Sequence, residues 1–135
     1  MIALALAAFI FAGSEVLLPG QADLPLMRGA RLAPECAEVL PADREGPALT
    51  CIAVPMRRAN DMVFAYSRQA QRQGWQDAGG AASALFLTRP ATPERCAQRL
   101  TLIAFWDPAR ADPPAPNEDV FIGMAVESQN CKEAG

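Results

Sequence analysis

Along two stretches in the second half of the chain, every second position is apolar. In Arg99 to Trp106, the residues Leu100, Leu102, Ala104 and Trp106 share one parity. In Asp119 to Glu127, Val120, Ile122, Met124 and Val126 do the same. A period of two is that of a strand with one face buried, so both stretches are predicted strands, and pairing Trp106 with Asp119 makes them an antiparallel pair. Ala48 to Val54 reads as a third strand, ended by Pro55, which has no N–H to give to a ladder. Cys36 to Leu40 could pair with it as a hairpin around the turn-rich segment 41–47.

Between these stretches the period changes to that of a helix. Val63, Tyr66 and Ala70, with Met62 beside them, recur at helical spacing. Asn60 is a suitable N-cap, Asp61 lies where the helix dipole favours an acid, and Gly74 is a natural left-handed stop. The pattern predicts a helix over 61–73. Trp75 to Ala78 and Ala84 to Arg89 then flank Gly79-Gly80, a hairpin signal. The order is strand, helix, then several strands joined by short links, which favours antiparallel neighbours. The fold class is therefore α+β: two layers, one main helix on an antiparallel sheet of about 4–5 strands. The helix, Gly-Trp and hairpin over 61–89 are similar in arrangement to helix-on-sheet modules of bacterial envelope lipoproteins. No motif is shared, and no functional residue follows from the likeness.

The first 26 residues, MIALALAAFIFAGSEVLLPGQADLPL, follow neither period. Ile2 to Gly13 are all apolar or Gly. That run is too short for the roughly 20 residues of a membrane-spanning helix and suits the apolar part of a secretory signal. Gly20-Gln21-Ala22 places small residues where a signal peptidase needs them. The expected division is a signal peptide over 1–22 and a single small domain over 23–135. The alternative is an anchor in which residues 2–18 are retained.

Export changes what the cysteines mean. Cys36, Cys51, Cys96 and Cys131 contain no C-x-x-C pair, so neither a zinc ribbon nor a thioredoxin-type motif is present. An even number of cysteines in an exported small domain favours disulfides. The predicted hairpins bring Cys36 near Cys51 and Cys96 near Cys131, so these are the expected pairs. The chain holds 12 basic and 15 acidic side chains, a net charge of −3, and lacks the basic footprint of a nucleic-acid binder. It contains no His. That excludes Ser-His-Asp and Cys-His catalysis and His-ligated metals. No catalytic residue, metal or cofactor is expected.

The candidate interaction residues fall in three places. Trp75 and Trp106 could stack on a ligand. Phe105 and Phe121 lie on the strand faces opposite the main apolar ones, and would form an apolar patch unless residues 23–47 or a second copy cover them. Pro113 and Pro114 sit in the proline-rich connection 107–118, a stiff segment of the kind that docks in a partner's groove. Arg57, Arg58, Arg68 and Arg72 could form a basic patch on the helix. The functional expectation is a non-enzymatic, exported envelope or periplasmic module that engages another envelope protein. The alternatives are a membrane-tethered accessory subunit and a small-ligand binder with a groove between helix and sheet.

Overall fold

The computed structural model describes residues 15–129 and Cys131. Two short strands, β1 (Val16–Leu17) and β2 (Leu24–Pro25), form a small antiparallel ladder, with Leu17 opposite Leu24. The main sheet contains β3 (Arg31–Leu32), β4 (Thr50–Pro55), β5 (Gln76–Ala81), β6 (Ala84–Arg89), β7 (Ala97–Phe105) and β8 (Asp119–Gln129). Its order is β3-β4-β8-β7-β6-β5, antiparallel throughout. The sheet thus has six strands, more than the 4–5 expected. The sixth is β3, a two-residue edge strand too short to show a period of two.

The one α-helix among the described residues, α1 (Ala59–Arg72), covers one face of the sheet. It starts earlier than the N-cap signal at Asn60 suggests. A 3₁₀ turn at Met56–Arg58 leads directly into it, and Arg58 occupies the N-cap without a side-chain cap bond. Asn60 therefore lies inside the first turn. At the other end Gly74 adopts φ +98°, a left-handed stop, and the Trp75 N–H returns to the Ala70 carbonyl at 3.2 Å. Met62, Val63, Tyr66 and Ala70 are buried against Leu100 and Leu102 of β7, Ile122 and Met124 of β8, and Leu87 of β6. These are the residues that the two periods select.

The β7–β8 register is Phe105 to Phe121 and Leu102 to Met124. It is one residue from the expected pairing of Trp106 with Asp119. A one-residue slip would turn one strand's apolar set to the wrong face. The observed register is the one that puts Leu100, Leu102, Val126 and Met124 on the helix side together. The second hairpin also differs. Its turn is at Ala82-Ser83, with Ala82 at φ +52°, while Gly79 at φ +91° sits in an irregularity between Asp77 and Gly80. Gly80 is required there, since a Cβ would lie 2.6 Å from the Ala84 carbonyl oxygen. Residues 34–39 are a 3₁₀ helix, so the strand expected over 36–40 does not form; Pro34 at the helix start has a φ preset for the helical turn.

Both cysteine pairs are disulfides, Cys36 to Cys51 and Cys96 to Cys131, with Cα–Cα distances of 6.3 and 5.1 Å. Two disulfides suggest an oxidising environment. Among the described residues no helix is long and apolar enough to cross a membrane. Residues 1–14, which carry most of the expected signal peptide and anchor, lie outside the described residues.

Tyr66 joins the layers. It is fully buried, and its hydroxyl donates to the Pro25 carbonyl at 2.7 Å and accepts from the Met27 N–H at 3.0 Å. Burial raises its pKa above the ordinary tyrosine value. Tyr66→Phe strands both backbone groups and is expected to cost about 1–2 kcal/mol in chemical denaturation.

Candidate functional site

The helix-free face of the sheet is only partly covered. The Cys36–Cys51 disulfide ties the 3₁₀ helix Pro34–Val39 to β4, and Ala33, Cys36, Cys51 and Ala53 form a small second core there. Leu49, Phe105 and Phe121 pack against it. The Phe105 and Phe121 rings lie 5.5 Å apart at 40°. So these two phenylalanines are half-buried rather than bare. The covering layer comes from residues 33–49, within the stretch 23–47 weighed as a cover and two residues beyond it.

Past that cover the face opens into a groove of about 690 Å³. Its floor is Phe86 of β6, Thr101, Ile103 and Phe105 of β7, and Ala125 of β8. These side chains share a face because Phe86 and Ala125 both pair with Thr101 across the ladder. One wall is the segment from Val39 to Pro47 with Leu49, and the other rim is Trp106 with Pro108. The wall is braced internally by Arg44, whose guanidinium donates to the Pro47 carbonyl at 2.9 Å. Arg99 and Glu127, paired at 3.4 Å, close one end, and the Arg99 guanidinium sits 5.2 Å above the Phe86 ring centre.

The floor is apolar and aromatic, and the polar groups are few. Two arginines, Arg44 and Arg99, are balanced by Glu45 and Glu127. The groove is concave and mainly apolar, with a handful of polar groups at the edge, features it shares with small-molecule sites. It shows no nucleophile beside a base. Among the described residues no group of three or more His, Cys, Asp and Glu side chains is placed to hold a metal.

The two tryptophans part company. Trp106 is 37 % exposed at the groove rim. Trp75 is buried on the helix side, capped by the Arg89 guanidinium 4.4 Å from its ring centre. Trp75 therefore staples the end of α1 and cannot stack on a ligand at the same time. The groove lies on the sheet face away from the helix, not between helix and sheet. Phe86, Arg99 and Glu127 were not singled out by the sequence. Their signal is parity: they occupy the strand positions that alternate with the core residues.

The proline-rich connection is ordered by its own bonds. Arg110 pairs with Glu118 at 3.3 Å, and a Glu118 carboxylate oxygen accepts from the Ala115 N–H at 2.8 Å. The Met56 and Arg57 N–H groups donate to the carbonyls of Glu118 and Pro116. Pro114 is buried and Pro113 is exposed, so the connection is a braced loop that presents Pro113 but not Pro114. The Ala115 N–H, and then Arg110, hold the Glu118 carboxyl below its ordinary pKa. Arg31 does the same for Glu35. A lowered folded-state pKa gives stability that is present above the unfolded value and lost as pH falls through the folded one. The melting temperature is expected to hold from pH 7 to 5 and to drop below about pH 4.3. Glu118→Gln should remove part of that acid-side drop, as measured by calorimetry across the series.

Arg57 and Arg58 lie in the 3₁₀ turn before α1, and Arg68 and Arg72 near its end. At 1.5 Å per residue these pairs are about 15 Å apart, so the four do not form one patch.

Compared with protein-family models, curated proteins and solved structures, the chain matches none.

Proposed function

We propose that the protein is a non-enzymatic binding module of an oxidising, exported compartment, and that the helix-free groove is its ligand site. The occupant is a small, mainly apolar molecule without net charge. The groove itself carries this reading: about 690 Å³ over a floor of Phe86, Ile103 and Phe105, with Trp106 on the rim. Its volume suits a drug-sized ligand. Its two arginines and two glutamates balance, so nothing there favours an ion over a neutral molecule. The pinned wall keeps the site formed before the ligand arrives, which limits the ordering cost of binding.

The test is titration with the uncharged apolar dye N-phenyl-1-naphthylamine, followed by dye fluorescence. Saturable one-to-one binding is expected, weakened more than tenfold by Trp106→Ala and by Ile103→Asp. Trp75→Phe, on the other face, should leave the affinity within twofold. Absence of saturable binding, or equal binding by Ile103→Asp, would overturn the ligand reading.

A protein partner, another envelope protein, is the second reading. It is favoured by Trp106 and Pro108 standing together on the rim beside the braced loop that exposes Pro113. Exposed tryptophan is enriched among binding hot spots. In that case Trp106→Ala would abolish recovery of one reproducible partner from envelope extract while dye binding stayed weak.

A further inference from the structure

We infer that the folded domain begins before Val16, so that the mature chain keeps residues 15–22 and is not processed after Ala22. The small-residue pattern Gly20-Gln21-Ala22 lies inside the fold. Leu17, Leu18 and Ala22 are 1 %, 6 % and 1 % exposed, and belong to the same core as Tyr66, Leu100 and Ile122. Leu17 and Leu24 face each other across β1 and β2, so a chain starting at Asp23 would keep β2 and lose its partner strand.

The polar groups of the segment are spent on holding it in place. The N–H groups of Gln21, Ala22 and Asp23 all point to the Leu18 carbonyl, at 2.9 to 3.1 Å. The Asp23 carboxylate accepts from the Gly20 N–H at 2.8 Å. Arg89 donates to the Gln21 carbonyl at 2.9 Å, and the Leu26 N–H to the Glu15 carbonyl at 3.0 Å. Leu18 and Asp23 take positive φ, 52° and 47°, a conformation that non-glycine residues adopt only when their surroundings impose it. A dispensable leader has no reason to meet the core this way. Cutting after Ala22 would also uncover the apolar side of α1 that Leu17 and Leu18 close.

This inference is independent of the groove, which lies on the opposite face of the sheet. Two measurements test it. The first is the N-terminal sequence and intact mass of the protein recovered from its native cells. An N-terminus at Glu15 or earlier is expected, and one at Asp23 would overturn the inference. The second uses the full chain. Leu17→Ala with Leu18→Ala should lower the melting temperature by more than about 10 °C. Val16→Ala, at a half-exposed position of the same strand, should lower it by less than about 2 °C. A double variant that melts with the parent would show that the segment contributes nothing to the fold, and would overturn the inference equally. Should the double variant fail to fold, Leu17→Val alone, in the extended backbone of β1, gives a graded version of the same comparison, with a loss of several degrees expected and none overturning it.

Discussion

Replacing Cys36 and Cys51 together by Ala is expected to lower stability by about 3 kcal/mol and to abolish dye binding. The first figure follows from the 15-residue loop that the bridge closes. The second follows from where the loop runs. Residues 39–47 form one wall of the groove and leave the sheet between the bridge and Leu49. Without the bridge, the 3₁₀ helix Pro34–Val39 is held to β4 by the small core of Ala33, Ala53 and their neighbours and by the Ala33 N–H bond to the Cys51 carbonyl. The other disulfide provides the control. Cys96→Ala with Cys131→Ala opens a 35-residue loop, and chain entropy alone makes that loss somewhat larger, about 4 kcal/mol. Yet neither Cys96 nor Cys131 lines the groove, so dye affinity at a temperature where the variant is folded should stay within twofold of the parent. Urea unfolding and dye titration of the two variants side by side give the answer. Equal loss of affinity in both would mean that the wall is not what forms the site.

The second large effect is expected at Gly123. This residue sits in the middle of β8, opposite Cys51 and Ile103, on the helix-free face. A Cβ there would come 2.9 Å from Leu49 Cδ1 and 3.2 Å from Phe105 Cε1. Both neighbours line the groove and also pack on the small second core. Gly123→Ala already forces Leu49 to move. Gly123→Val adds two carbons beyond that Cβ where there is no space, and is expected to cost about 3 kcal/mol, the upper part of the range for overpacking. Leu49 and Phe105 both line the groove, so displacing them changes its shape. Dye affinity should therefore fall more than tenfold in Gly123→Val, with an intermediate value in Gly123→Ala. Gly80, whose Cβ would meet backbone, is the contrasting glycine. Substituting it should destabilise the β5–β6 hairpin and leave the groove unaltered.

The helix face of this protein was legible in the sequence because its two periods agree. Leu100, Leu102, Ile122 and Met124 recur at every second position, and Val63, Tyr66 and Ala70 recur at helical spacing. The register was less legible. A slip of one residue leaves the list of strands unchanged, and only the requirement that Leu102 meet Met124 on the helix side settles it. The helix start was obscured because Asn60 resembles a cap. Pro55 and the 3₁₀ turn after it fix the entry by backbone geometry, with no capping side chain. The disulfide between Cys36 and Cys51 did not need the hairpin used to anticipate it, since a 3₁₀ helix brings Cys36 over β4 as well as a strand would.

The groove was half legible. That a single helix leaves one sheet face open is a matter of counting layers, and Phe105 and Phe121 marked that face. Its limits were not readable. They depend on how a turn-rich segment, 39–47, lies over the sheet, and no local period encodes that. Trp75 and Trp106 look alike in sequence, each beside the end of an element. The left-handed turn at Gly74 sends one indole into the core, while the end of β7 leaves the other on the rim.

The sheet order β3-β4-β8-β7-β6-β5 has a temporal consequence. The strand made last, β8, lies between β4 and β7 and is the sole link between the two halves of the sheet. While residues 119–129 are still on the ribosome or in a translocation channel, β4 and β7 have no common partner. Two half-sheets then exist, joined only through what α1 packs against each of them. Pairings this far apart in sequence form slowly, after the loop-closure cost has been met. The bridge between Cys36 and Cys51 is local enough to form in that interval. The one between Cys96 and Cys131 must await Cys131, which follows β8. Oxidation of the second bridge therefore reports that β8 has been made, and until then the sheet stands open between β4 and β7, the interval in which a chaperone has most to do.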